Sequence, residues 1–295
     1  MKVGPECSLC LFQRGYLEIL EATGDSSLRF EACRNLLQML AENFDAESVP
    51  SIIGTKRERL VKKSTRNEDP FAAKKDQSNK EALKILPFAE KIVLSESSQK
   101  ERFRKACLYA IVGNIMEFNI PGHEFEFKDI GKLITDAEKD LVIDDISKAY
   151  NLARRSTMTV FLTDNAGEIA LDTLLVKELK SLGGRIIVAV KDKPAYNDAT
   201  MKDALAVGLD RIADEVITIG TDSMGLIPSE CSEEFLRYYG ESKFIIAKGM
   251  GYAETLTEYD LEVPHLLLLR TKCSNVAEYF GVERHKNVAK ILSSR

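Results

Sequence analysis

The chain contains no tryptophan and only three histidines, and His123, His265 and His285 lie far apart in sequence without forming an H-E-x-x-H pair. A zinc hydrolase built on imidazole ligands is therefore a weak reading. Cysteine is scarce and scattered: Cys7 and Cys10 form a single C-x-x-C pair, while Cys33, Cys107, Cys231 and Cys273 stand alone. Such spacing excludes a disulfide scaffold. No apolar run approaches the roughly 18 residues that a membrane span needs, and the opening MKVGPECSLC has no signal-peptide core, so a cytoplasmic chain without a membrane partner is expected. Excess positive charge is missing too, because the net charge is −5 and the densest basic run, KRERLVKK at 56–63, contains an acid. That run reads as a solvated helix face, and no nucleic-acid partner is expected. The phosphate loop G-x-x-x-x-G-K-[ST], a G-x-G-x-x-G turn and the G-x-S-x-G elbow are all absent. Their absence demotes nucleotide binding and removes the serine-hydrolase reading.

What is present is an ordinary core-forming composition, 44% hydrophobic and 29% charged over 295 residues, enough for one large or two medium domains. Residues 1–155 carry apolar side chains at helical spacing, as in Leu36, Leu37 and Leu40 or Phe103, Cys107, Ala110 and Ile111. After about 157 the pattern changes to short aliphatic runs separated by helical segments: TVFL at 159–162, RIIVAV at 185–190, EVITI at 215–219, FIIA at 244–247 and HLLLL at 265–269. Runs buried on both faces and alternating with helices indicate a parallel sheet. The expected fold is α/β: an all-helical domain over 1–155, and a Rossmann-like, doubly wound, mostly parallel sheet over 156–295. In such sheets the ligand lies outside the carboxyl ends of the strands, near a topological switch point.

Those strand ends are rich in oxygen. The first run leads into Thr163, Asp164, Asn165, Ala166, Gly167 and Glu168; the second into Lys191 and then Asn197, Asp198 and Thr200; the fourth into Lys248 and Gly249. Carboxylate and amide oxygens without histidine or thiol suit a hard or borderline divalent cation, with Asp164, Asn165 and Asp198 as candidate ligands and water filling the remaining positions. A helix opening near Gly167 would turn its N–H groups toward an anion, and Lys248 could meet a phosphate as a point charge. Each feature also has a plainer reading. Asp-Asn-Ala-Gly after a strand makes a turn and a helix cap, and Asn-Asp is a common turn dipeptide. Glu168 and Asp172, four apart, could be solvent-facing acids at a helix start, and for Asp172 that is the favoured expectation. Cys7 and Cys10, one helical turn apart, could with Cys273 form a soft-metal or redox site, although small buried hydrophobes are the favoured reading. The coincidence of acid, amide and lysine across separate strand ends is what independent turns do not require.

The stretches TDNAGEIALD at 163–172, NDATMKDA at 197–204, IIAKGMGYAETL at 245–256 and RTKCSNVAEYFGV at 270–282 resemble, in order and spacing, the damage-control phosphatase family first catalogued as domain of unknown function 89. CSLCLFQR at 7–14, DPFAAKKDQSN at 69–79 and GNIMEF at 113–118 look like the helical segment of its C-x-x-C-bearing branch. The resemblance implies a metal-dependent phosphatase of small phosphorylated metabolites, such as sugar phosphates or damaged by-products, with Mg²⁺, Mn²⁺, Co²⁺ or Ni²⁺ as cofactor. By the same resemblance Asp164, Asn165 and Asp198 hold the metal, and Lys248 is associated with the substrate phosphate. Two departures stand out: Met250 and Tyr252 occupy positions where the family usually has Gln and Asn, and Glu117 follows Gly-Asn where Asp is usual.

The candidate catalytic groups are thus Asp164, Glu168 and Lys248, with a carboxylate acting as base or nucleophile. Gly167 and Asn197 join Lys248 as phosphate-binding candidates, and Asp69, Lys75, Asn79 and Asn114 are the polar groups of the helical part expected to face the cleft. Two other classes compete: a nucleotide- or S-adenosylmethionine-dependent transferase on the same fold, and a non-catalytic metal- or metabolite-binding protein.

Overall fold

The structure, a computed structural model, describes residues 1–113 and 136–293; Asn114 and Glu117 lie outside these residues. The chain opens with five helices, α1 (Cys7–Ala22), α2 (Ser26–Asn43), α3 (Pro50–Thr65), α4 (Ala72–Leu94) and α5 (Gln99–Gly113). Local signals set their starts. The Asp25 carboxylate accepts hydrogen bonds from the N–H groups of Ser27 and Leu28 at the head of α2. Pro50 occupies the first position of α3, where its missing N–H costs nothing. Leu11, Ile19, Leu36, Ile53 and Val61 close the small core shared by α1, α2 and α3.

A seven-stranded sheet follows: β1 (Leu141–Asp144), β2 (Met158–Leu162), β3 (Arg185–Val190), β4 (Glu215–Thr218), β5 (Phe244–Lys248), β6 (His265–Arg270) and β7 (Asn287–Leu292), in the order β1-β7-β6-β5-β2-β3-β4. Strands β6, β5, β2, β3 and β4 run parallel; β7 is antiparallel to β6 and carries β1 at the edge. The five parallel strands, β2 to β6, are those expected from the sequence, and every residue of β2 and β5 is buried. β7 is an additional strand. β1 is a correction, because it falls in the stretch 141–155 that the periodicity assigns wholly to helix. Only α6 (Ile146–Arg155) is helical there, and β1 shows the half-exposed alternation of an edge strand.

The remaining helices are α7 (Glu168–Ser181), α8 (Met201–Ala206), α9 (Glu233–Glu241), α10 (Gly249–Leu256) and α11 (Ser274–Phe280). Strand alternation sends Phe161 and Val188 to one face, under α5 and α7, and Val160 and Ile187 to the other, under α9 and α10. Both faces are covered, which makes the sheet doubly wound. From β2 the chain moves outward through β3 and β4, then returns to the other side of β2 with β5 and β6. The switch point therefore lies between β2 and β5. Helices α4 and α5 pack against α7, whereas α3 sits at the strand ends: its Ser51 hydroxyl donates to Gly251 O (3.3 Å), its Thr55 hydroxyl accepts from Met224 N–H (2.9 Å), and Lys62 pairs with Asp222 (2.8 Å). No helix among the described residues is long and apolar enough to cross a membrane.

Candidate active site

Beyond the last residue of β2, the Thr163 N–H and hydroxyl both donate to Ala189 O at 3.1 Å, keeping the strand end against β3. The next two residues are laced to the loop after β3. Ala199 N–H donates to Asp164 O (2.7 Å), Ala166 N–H donates to Asn197 O (2.8 Å), and a single antiparallel bridge pairs Asn165 with Asp198. Asp164, Asn165, Asn197 and Asp198 are brought together by backbone geometry, although more than thirty residues separate the two pairs.

The neighbouring conformation is held with equal care. Tyr196 adopts a left-handed φ of 50°, its N–H is taken by the buried Glu58 carboxylate, and its ring packs on Phe71 at 4.5 Å. Gly249, with φ 82°, is required by its surroundings, because the Asp164 carboxylate occupies the space that a side chain there would need. Two strand ends at the switch point thus interlock around one acid.

Beneath the cluster lies a buried network. Asn165 Nδ2 donates to Asp164 Oδ2 (3.0 Å) and to Glu168 Oε2 (2.8 Å), while Glu168 Oε1 pairs with Lys248 Nζ. Lys248 also pairs with Asp172 at 2.8 Å, and all three charged side chains are fully buried. Burial pushes the Asp172 carboxyl up to about 7; Lys248 opposes that shift and Glu168 adds to it. Lys191, also buried, donates to Ser223 O (2.6 Å) and Gly225 O (3.1 Å) and stands 3.5 Å from Asp198. Its ammonium backs the second acid of the cluster.

A cavity of about 150 Å³ lies between α1, α3 and the strand ends, with Asp164, Asn165, Asn197 and Asp198 at one end. Asn197 is 2% exposed, and neither polar atom of its amide has a hydrogen-bond partner. Buried amides are rarely left so, and this one marks a place for a polar ligand. The oxygens of the cluster also fit a hard divalent cation, since two carboxylates and an amide carbonyl are the ligand types such an ion prefers. Among the described residues no three of His, Cys, Asp and Glu form a metal-binding group. A cation at this site would need the Asn165 oxygen and water beside the two acids.

Asp164, Asn165, Asn197 and Asp198 all reach the cavity. Lys248 and Glu168 lie beneath it, their charged ends joined to each other, and neither is part of the cavity wall. The Gly167 N–H, expected to face an anion, donates to Asn79 Oδ1 (2.7 Å), and Asn79 Nδ2 donates to Asp203 (2.7 Å). Asn79 is thereby a brace between α7 and α8. Lys75 pairs with Asp69 at 2.8 Å, and neither residue lines the cavity. Asp172 is not the surface acid expected; α7 turns it inward to Lys248. Met250 lines the cavity, whereas the Tyr252 hydroxyl sits 3.4 Å from Lys191 Nζ. Cys7, Cys10 and Cys273 share the cavity wall. Sequence reasoning gave no role to Lys191 or Glu58, since a left-handed Tyr196 and a helix laid across strand ends leave no periodic signal.

With this geometry in hand, the comparisons with known proteins are specific. The family model described as Damage-control phosphatase ARMT1-like domain matches residues 3–288. A damage-control phosphatase of Archaeoglobus fulgidus is 36% identical over 295 residues, covering 99% of this chain and 100% of its own. An uncharacterized protein of Methanocaldococcus jannaschii is 36% identical over 293 residues, covering 98% of this chain and 95% of that one. The crystal structure of a DUF89 family protein from Pyrococcus horikoshii matches with a TM-score of 0.88 at 28% identity, covering 100% of both chains.

Proposed function

We propose a reaction on the premise that this chain belongs to the damage-control phosphatase family, as the match over residues 3–288 and the 36% identical relatives establish. It is a phosphatase acting on phosphorylated small molecules, and in our reading it cleaves phosphomonoesters at the cluster outside β2 and β3 with the help of a divalent cation. The observation that carries this reading is the backbone lacing of Asp164-Asn165 to Asn197-Asp198, which sets two acids and two amides in the wall of a partly enclosed cavity.

Asp164, Asn165 and Asp198 would hold the cation. When bound, it supplies Lewis-acid polarisation of the phosphoryl group and a water of lowered pKa. The chain's own residues do the rest. The Asn197 amide, buried and unpartnered, donates to a phosphoryl oxygen. Lys191 offsets the charge of Asp198, so that two acids and an incoming phosphate are tolerated together. Glu168 fixes the Asn165 amide with its Nδ2 toward the buried network, and Lys248 pairs with Glu168 and holds it in place. Glu168 and Lys248 are in this reading positioning residues, and Asp164 is the carboxylate within reach of the reacting groups. Phosphate release from a panel of phosphomonoesters with Mg²⁺, Mn²⁺, Co²⁺ or Ni²⁺ tests the proposal. Activity must disappear on chelation and in Asp164→Ala; release that survives both refutes it.

A further inference from the structure

Resting on the phosphatase reading above, we propose that this site selects phosphoesters whose organic part is apolar or sulfur-bearing over polyhydroxylated ones, with Met250 as a specificity-determining residue. The acids and amides fix the phosphate end, so the organic part of the substrate must fill what remains of the cavity. Most of the surface facing that space is carbon and sulfur. Cys7, Cys10 and Leu11 of α1 line it together with Met224, Met250 and Cys273. Burial pushes the Cys7 thiol up to about 11 and the Cys273 thiol up to about 12, so both are neutral near pH 7 and only weak donors.

Several of the polar side chains that also border the cavity, a set that includes Glu6, Glu254 and Lys272, have partners within the protein. The Arg57 guanidinium is held by Glu18 at 2.7 Å, the Ser51 hydroxyl donates to Gly251 O, and the Asn275 amide donates to Lys2 O at 3.0 Å. Arg14 lies over the Tyr196 ring, 4.9 Å from its centroid. A sugar hydroxyl stripped of water in this space meets carbon and sulfur over most of the wall, which penalises a polyol and not an alkyl chain. Met250 is placed to decide between them. It sits in the first turn of α10, one residue after the glycine that admits the Asp164 carboxylate, and its thioether is flexible and polarizable enough to follow an apolar ligand.

The test compares kcat/KM for n-hexyl phosphate and a hexitol 1-phosphate, which share a phosphate and six carbons and differ in their hydroxyls. The full-length enzyme with its activating cation should favour the hexyl ester by tenfold or more, in the range of about 10–200-fold that apolar pocket contacts give. Met250→Gln should move the ratio toward the hexitol ester by about tenfold. Because both rates are measured on one preparation, any loss of folded enzyme cancels. A wild-type ratio at or below one overturns the specificity while leaving the phosphatase reading standing. A hexyl preference that Met250→Gln does not move overturns the role of Met250. Absence of phosphate release from either ester, with all four cations, overturns this proposal; the phosphatase reading falls with it only if the wider phosphomonoester panel is silent as well.

Discussion

Replacement of Lys248 by methionine separates two roles that a lysine at a strand end could have. As a phosphate contact it would be needed for activity and of little weight in folding. In the structure it is fully buried between Glu168 and Asp172, so Lys248→Met leaves two carboxyls without their counter-charge. Removing one partner of a buried pair costs about 3–5 kcal/mol. At about 2–4 °C per kcal/mol for chains of this general size, the melting temperature should fall by roughly 6–20 °C. The loss should be smaller at acid pH. Lys248 holds the Asp172 pKa down, so without it Asp172 rises above its present value of about 7 and enters the folded state protonated. Thermal and urea denaturation of wild type and variant at pH 5.5 and pH 8 measures both effects. A variant as stable as wild type at both pH values, yet devoid of phosphatase activity, would refute the structural role and return Lys248 to the substrate.

Three further outcomes follow from the same network. Asp172 has a carboxyl raised from an ordinary 3.8 to about 7, so the folded state holds its proton more tightly than the unfolded chain. This contribution to stability is therefore complete below about pH 4 and is lost as pH rises through 7; Asp172→Asn should flatten the denaturation profile across that window. Glu168→Gln releases the orientation of the Asn165 amide and should raise the cation concentration needed for half-maximal activity by about 10–100-fold, read by metal titration of phosphate release. Gly249→Ala forces a side chain into the space of the Asp164 carboxylate at a φ of 82°, and should cost at least about 1 kcal/mol of stability together with most of the activity.

Much of this was legible in the sequence. The five parallel strands announced themselves as aliphatic runs, β2, β3, β5 and β6 because they are buried on both faces, whereas β1 is four residues long, half exposed and followed at once by the helical spacing of α6. The strand-end rule located Asp164, Asn165, Asn197 and Asp198 without knowledge of how the loops meet. It pointed less well to Lys248, although a signal was available: Phe244 and Ile246 face the α7 side, so two-residue alternation sends Lys248 to the same face. Glu168 and Asp172, one helical turn apart, meet it there. Lys191 and Asn79 could not be assigned from sequence, since their partners Ser223, Gly225 and Asp203 are distant along the chain and are brought near only by the sheet order.

The central claim is that one cation, held by Asp164, Asn165 and Asp198, serves phosphate chemistry at the switch point. Diffraction at the manganese edge from crystals soaked with Mn²⁺ and inorganic phosphate tests it most directly. One anomalous peak is expected, bonded to oxygens of these three residues, with phosphate beside it and in contact with the Asn197 amide. A peak held by Cys7, Cys10 and Cys273, or phosphate bound elsewhere while the cluster carries neither ion, would contradict it.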